Sequence, residues 1–403
     1  MALYKYKVKN MSGELLTGSL EKDSKAQCID ELKSKNYFII DLKEEIIKQD
    51  VLDISSFKKV KIKDIAVFCR EFSTLINAGL PIVSSLATIK EQTENKKFKK
   101  ALNQIYEDVQ KGGTLSDSMR KHSDIFPSLL FNMVEAGEVS GTLDKVMNDL
   151  SDHFEKENEL NQKVKSALTY PAIVTIVAIF VVIFLITNVL PIFIGMFKDA
   201  GAQLPLPTII LLTISYYLTR YWYLFIGVIL LIIYIFIKIL NTKRGKFFYD
   251  RLILNIPIFG PLNRKIITTR FTRTLAALIN AGIPLIKSME VIEKVVGNTF
   301  VAEGLKNAQD DIKKGMALSE PLKSLNIFPP MVIQMINIGE NSGSLDKILS
   351  KTADFYDSEV DASVSQMTTL LEPLIIVVLA VVVGFIIISI IMPIFQIYNF
   401  VSN

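Results

Sequence analysis

Leu75-Ile-Asn-Ala-Gly-Leu-Pro81 recurs as Leu278-Ile-Asn-Ala-Gly-Ile-Pro284, an offset of 203 residues. Gly137-Glu-Val-Ser-Gly-Thr-Leu-Asp-Lys145 recurs as Gly339-Glu-Asn-Ser-Gly-Ser-Leu-Asp-Lys347, an offset of 202. Between them Lys111-Gly112 matches Lys314-Gly315 and Phe126-Pro127 matches Phe328-Pro329, so one residue was lost along the way. The match runs on through Pro171 and Pro373 to Pro191-Ile-Phe193 and Pro393-Ile-Phe395. Collinear matches over this length mark a tandem duplication.

Each copy ends in a stretch suited to a membrane. Ser166 to Phe197 and Pro373 to Asn403 contain no charged residue. Crossing ~30 Å of hydrocarbon takes about 20 mostly apolar residues, and both stretches supply them. A third run, Tyr221 to Ile237, belongs to neither copy and is bracketed by Arg220 and Lys238, whose charges can snorkel to the interfaces. Tyr216, Tyr217, Tyr221, Trp222 and Tyr223 form an aromatic belt at its start. The segment before it, through Ile209 to Leu218, is expected to lie along the membrane surface.

Orientation follows from lysine and arginine, which concentrate in residues 1–165 and 241–370. The amino terminus is expected in the cytoplasm and the carboxyl terminus outside. Topology agrees: one span per copy would put the two soluble domains on opposite faces, and the unmatched middle span turns the chain back.

Composition narrows the function classes. The 403 residues carry a net charge of +4, which gives no reason to expect nucleic acid. Cys28 and Cys69 are too few for a disulfide framework and are read as free buried thiols. His122 and His153, far apart in sequence, do not make a histidine-rich metal site and are read as structural or solvated. The opening Met1-Ala-Leu-Tyr-Lys5 lacks the apolar stretch of a signal peptide. There is no phosphate-cradling Gly-x-x-x-x-Gly-Lys-Ser/Thr loop and no nucleophile–base constellation, so neither catalysis nor a cofactor is expected.

Within each copy the apolar spacing is helical. Ile62, Ile65, Ala66, Phe68, Cys69, Phe72, Leu75 and Ile76 make one amphipathic face. Gly79 stops that helix and Pro81 opens the next; Gly137 ends a later one, and a long helix runs from about Thr142 into the membrane. Gly282, Pro284, Gly339 and Pro373 repeat this punctuation, and Gly141 and Gly343 repeat with them, as Pro171 does with Pro373. About six helices per copy are expected. Residues 1–57 differ: alternation in Tyr4-Lys-Tyr-Lys-Val8, a turn at Asn10 to Gly13, strands at Leu15 to Leu20 and Tyr37 to Leu42, and a helix at Ala26 to Lys35 suggest a small ββαβ unit, followed by a basic linker from Lys58 to Lys63.

Two sets of charged residues stand out. Glu135, Glu138 and Asp144 gather near one helix junction, as do Glu340 and Asp346. The favoured reading is helix-start charge, with Ser140 and Ser342 as caps. The alternative is a divalent-cation site, or a contact for a basic partner, at Glu138, Asp144, Glu340 and Asp346. Arg70 and Arg273 also repeat; ion pairing to those acids is favoured over partner contact.

On these residues the chain resembles the type IV pilus and type II secretion inner-membrane platform family (PilC/GspF). The resemblance rests on Tyr4-Lys-Tyr-Lys with Gly13 and Gly18, Asn77-Ala-Gly-Leu-Pro81, Gly137-Glu-Val-Ser-Gly141, Ala167-Leu-Thr-Tyr-Pro171, Leu204-Pro-Leu-Pro-Thr208 and Ile256-Pro-Ile-Phe-Gly-Pro261, and covers essentially the whole chain. The second copy departs where Leu371-Glu372 replaces Tyr170 before the proline. The resemblance implies a scaffold that links a cytoplasmic assembly ATPase to prepilin or pseudopilin and other inner-membrane apparatus proteins, working in lipid as a small homo-oligomer. A membrane transporter is the alternative weighed against it; the uncharged spans argue for the scaffold.

The resulting expectation is a mainly α, polytopic plasma-membrane protein with two duplicated cytoplasmic helical-bundle domains, three transmembrane helices and a small amino-terminal α+β domain. Its divisions are 1–57 (small domain), 58–168 (first bundle), 169–193 (first span), 194–219 (external loop and surface segment), 220–240 (second span), 241–371 (second bundle), 372–395 (third span) and 396–403 (external tail).

Overall fold

The computed structural model describes residues 2–9, 15–22, 25–35, 37–45, 59–192, 205–257 and 259–401. The turn expected at Asn10 to Gly13, most of the loop before residue 205 and the last two residues lie outside them. The chain divides into two compact units, Met1–Lys59 and Val60–Asn403.

In the smaller unit, β1 (Ala2–Lys9), β2 (Leu15–Lys22) and β3 (Phe38–Glu45) form an antiparallel sheet in the order β2-β1-β3, with α1 (Lys25–Ser34) between β2 and β3 in sequence. Tyr6 pairs with Gly18 on one side and Leu42 on the other. Tyr4 and Val8, two apart twice over on β1, are buried, as are Cys28 and Leu32 of α1. That is the alternation of a sheet with one covered face.

In the larger unit the first copy comprises α2 (Ile62–Asn77), α3 (Ile82–Gln92), α4 (Lys96–Gln110), α5 (Leu115–Arg120), α6 (Ser128–Ser140) and α7 (Leu143–Phe184). A connecting region holds α8 (Leu206–Arg220), α9 (Trp222–Leu240) and α10 (Lys243–Ile253). The second copy repeats the six helices as α11 (Phe259–Asn280), α12 (Leu285–Val295), α13 (Thr299–Lys313), α14 (Ser319–Ser324), α15 (Pro330–Ser342) and α16 (Leu345–Val401). Helices Leu143–Ile192, Trp222–Leu240 and Leu345–Met392 are long and apolar enough to cross a membrane.

The repeated motifs build repeated corners. After α2 the Gly79 amide donates to the Ile76 carbonyl and the Leu80 amide to that of Leu75; after α11 the Gly282 and Ile283 amides repeat both bonds to Ile279 and Leu278. These satisfy the last carbonyls of each helix, and they need a residue at positive φ, supplied by Gly79 at 81° and Gly282 at 78°. Pro81 and Pro284 then flank the starts of α3 and α12.

At the other motif the constraint is space. A Cβ on Gly137 would stand 3.1 Å from Val146 and 3.2 Å from the Leu143 backbone; on Gly339 it would stand 2.9 Å from the Leu345 side chain. Only glycine lets α6 close on α7, and α15 on α16, at these distances. Gly137 and Gly339 were expected to end these helices but lie inside them; Gly141 and Gly343, both left-handed, are the stops that turn the chain between the paired helices. Ser140 and Ser342 are not caps: the Ser140 hydroxyl donates back to the Ala136 carbonyl, and Thr142 holds the N-cap position of α7. A serine ending one helix bonds its own preceding turn more readily than the next helix.

One hydrophobic core runs through both copies. A second cluster joins Leu160 of α7 to Leu262 of α11 and to Val360, Val364 and Met367 of α16. A third joins Ile186 and Leu190, beyond α7, to Leu211 of α8 and Ile386 of α16. The two long helices are therefore tied both before and after the prolines, Pro171 and Pro373, that interrupt their backbone ladders.

The third cluster corrects the expectation that Ile209 to Leu218 lies along a surface. Thr208 and Ser215 of α8 are buried and donate to the carbonyls of Ser389 and Ile186, inside the two apolar stretches. Ile186 lies in a π-helical turn, Leu185–Val189, which disturbs the regular ladder there. In an apolar surrounding those hydroxyls and that carbonyl need one another.

Candidate functional site: the polar seam between the copies

The water-compatible half of α7 carries charge on the faces turned to α2 and to the second copy. Arg70 of α2 donates in a fork to Glu155 (2.8 and 2.7 Å), to Asp152 (2.7 Å) and to Asn148 (3.4 Å). Arg273 of α11, its counterpart at offset 203, pairs with Asp357 of α16, which lies 202 positions beyond Glu155. Both arginines were expected to meet the acids of the helix junction. They meet carboxylates two to three turns further along the long helix instead, because that is where the antiparallel neighbour passes.

Across the seam Arg270 of α11 pairs with Glu157 of α7 at 2.6 Å and donates to Asn161 at 3.0 Å. Asn280 donates to Asp149 at 3.2 Å, and Lys163 meets Asp361 at 2.8 Å. A cavity of about 480 Å³ opens here, lined by Asp149, His153, Arg273, Asn280, Asp346 and Asp354 among others. His153 Nδ1, Arg270 Nε and the hydroxyls of Thr269 and Thr274 are buried with no hydrogen-bond partner among the described residues.

The electrostatics follow from burial. Desolvation, reinforced by Arg273 and Arg270, holds the buried His153 imidazole neutral, with its pKa lowered to about 3. Burial also raises the Asp149 carboxyl, and raises Asp357 despite the attraction of Arg273. Glu155, more exposed, is instead lowered by its hydrogen bonds from Arg70. Burial dominates at the inner pair and the guanidinium dominates at the outer one.

The structure separates the other candidates from the seam. Glu138 accepts from the amides of Leu115 (2.6 Å) and Ser116 (3.1 Å) and from the Ser116 hydroxyl (2.5 Å). Glu340 accepts from the amides of Leu318 (2.5 Å) and Ser319 (3.1 Å). Each carboxylate thus holds the start of the short helix α5 or α14, satisfying amides that have no partner within the helix. Asp144 and Asp346 sit in the first turns of α7 and α16, and Asp346 alone of the four metal candidates lines the cavity. No group of three histidine, cysteine or acidic side chains among the described residues is placed to hold a metal ion.

Asp149 and Asp357 escaped the sequence reading, and His153, read there as structural or solvated, is buried. The matched positions Glu155 and Asp357 were a usable signal for the arginine partners; nothing in the local pattern marked His153, whose counterpart is Phe355. What the arrangement does chemically is join helices from the two copies by paired charges in a partly dry seam.

Comparison with known proteins places this architecture. The family model for type II secretion system (T2SS) protein F matches residues 68–191 and again 271–393, one match per copy, and that for the protein's N-terminal domain matches residues 1–43. The type IV pilus assembly protein PilC of Myxococcus xanthus is 38% identical over 395 residues, covering 98% of this chain and 95% of that protein. PilC of Thermus thermophilus is 36% identical over 405 residues, and type II secretion system protein F of Vibrio cholerae 30% identical over 406, each covering 100% of both chains. A duplicated six-helix unit, three membrane-compatible helices and these full-length matches make one statement: the chain belongs to the type II secretion system protein F family.

Proposed function

We propose that the chain is the inner-membrane platform of a type IV pilus or type II secretion assembly machine, coupling a cytoplasmic ATPase to polymerisation of pilin or pseudopilin. The carrying observation is continuity: α7 and α16 each run without a loop from a polar bundle into an apolar stretch, and the two are tied together at both ends. A load applied to either bundle passes into the membrane through backbone rather than through a flexible joint. Family membership points to a structural role, and the chain is an inner-membrane protein. The transporter alternative finds no support in the comparisons.

In this reading both bundles face the cytoplasm with the amino terminus, the carboxyl terminus is external, and the divisions are those expected from the sequence except that α8 packs against the spans instead of lying along a surface. The bundles meet the ATPase, the spans meet prepilin and other apparatus proteins, the working unit is a small homo-oligomer, and the chain performs no catalysis. Deleting the gene is the test: loss of surface filaments or of secretion is expected, and survival of both would overturn the reading. Labelling of single cysteines at Lys100 and Asp310 checks the topology; both are expected to react only with a membrane-permeant reagent.

A further inference from the structure

Two residues separate the end of the span α9 from the start of α10, whose two faces have different surroundings. One face is fastened to the second bundle. Asp250 is buried and accepts from the Thr299 amide (2.7 Å) and hydroxyl (2.6 Å), while its carbonyl accepts from Asn298 (3.0 Å). Phe247 packs edge-on against Phe300 at 5.4 Å, and the Arg251 guanidinium lies over the same ring.

The opposite face is Gly245, Phe248, Tyr249 and Leu252, spaced i, i+3, i+4 and i+7. Phe248 is 67% exposed and Leu252 49%. The span itself shows where this face points. The Tyr249 ring meets the ring of Phe236, which belongs to the apolar run of α9, at 5.9 Å. Tyr249 therefore reaches the level of the bilayer, and the residues beside it face the same way. Gly245 makes the elbow possible, since a Cβ there would stand 2.1 Å from the Ile239 carbonyl. Around the elbow Lys238, Lys243, Arg244 and Lys246 are all exposed, and none makes an ion pair among the described residues.

We propose that α10 is an interfacial helix: its Phe248–Tyr249–Leu252 face beds into the leaflet at the Lys238 end of α9, and Lys238, Lys243, Arg244 and Lys246 bind the headgroups of anionic phospholipids there. An apolar face flanked by basic residues, on a helix that starts where a span ends, is the arrangement that lipid interfaces select. Each basic side chain near an anionic surface strengthens binding about fivefold. The bond network on the other face passes that anchoring directly to α13 and so to the second bundle.

The inference rests on α9 crossing the membrane, and the test separates the two. The full-length protein is placed in phosphatidylcholine vesicles with or without phosphatidylglycerol. A bimane label is attached at Phe248→Cys, at Leu252→Cys as a second reporter, at Ile232→Cys within α9, and at Lys314→Cys at the far end of α13. Cys28 and Cys69 are buried. A lipid carrying a nitroxide near its headgroup is expected to quench positions 248 and 252, and iodide to spare them, with the reverse at 314. The lipid-to-iodide quenching ratio is expected to rise with phosphatidylglycerol, and to fall about fivefold or more when Lys243, Arg244 and Lys246 are all changed to glutamine. Iodide quenching at 248 and 252 while iodide spares 232 would overturn the proposal and give the face to a protein partner. Equal ratios with and without phosphatidylglycerol would overturn the headgroup assignment. Iodide quenching at 232 would instead defeat the membrane reading of α9 itself.

Discussion

The two copies share corners and differ in filling. In the first, Phe68, Phe72, Phe98 and Phe126 pack ring to ring with centroids 5.5 to 6.0 Å apart. In the second, Phe271 and Phe328 keep two of those places at 4.7 Å, while Leu275 and Val301 take the others. The lost residue is missing from the loop after the short helix, where Arg120 to Asp124 correspond to the four residues Lys323 to Asn326. The shortened loop places Asn326 at φ 52°, a left-handed conformation that asparagine tolerates better than most residues. The glycine turns and the carboxylate holding the short helix are kept in both. Backbone geometry has few solutions at a corner, whereas a core accepts many sets of side chains of suitable total volume.

The ion pairs differ in depth. Arg70 and Glu155 are each 42% exposed, while Arg273 and Asp357 are 13% and 23% exposed. The second pair is covered because α7 of the first copy lies beside α11 and α16. The duplication was thus made unequal by stacking one copy's long helix on the other's pair.

The largest expected effect tests the filling. Phe98→Ala should cost about 4 kcal/mol and Val301→Ala about 2, measured by thermal or denaturant unfolding in detergent. Equal losses would mean that the two cores do not differ in the way their rings suggest. Next comes depth: Arg273→Met strands a covered carboxylate and should cost about 3 kcal/mol, against no more than about 1 for Arg70→Met. A reversed order would place the covered pair in the first copy instead.

Titration sharpens the same contrast. His153 has no counterpart in the second copy. Its folded pKa of about 3 lies below the 6.5 of an ordinary histidine, so the unfolded chain binds a proton that the fold refuses. Its contribution is complete above pH 6.5 and is lost as pH falls from there toward 3, amounting to about 2 kcal/mol by pH 5. His153→Gln should flatten the dependence of unfolding temperature on pH in that window; an unchanged slope would show the imidazole to be solvated. The smallest difference is expected at the kept corners. Gly79→Val and Gly282→Val should each cost about 1–2 kcal/mol, nearly alike, because a Cβ meets no atom within 4 Å at either site and only the left-handed backbone resists it. Unequal losses would show that one turn is held by more than its φ.

The duplication, the three charge-free runs, the glycine and proline corners and the family resemblance were all legible in the residues, because each is a property of neighbours along the chain or of a repeated string. Tertiary structure decided that Arg70 passes the helix junction and meets Glu155, that Glu138 holds the start of α5, that α8 packs on the spans, and that His153 is buried beside two guanidiniums. Those outcomes depend on which helices lie side by side, and that is set by how whole faces pack, with partners more than twenty and up to about two hundred positions apart.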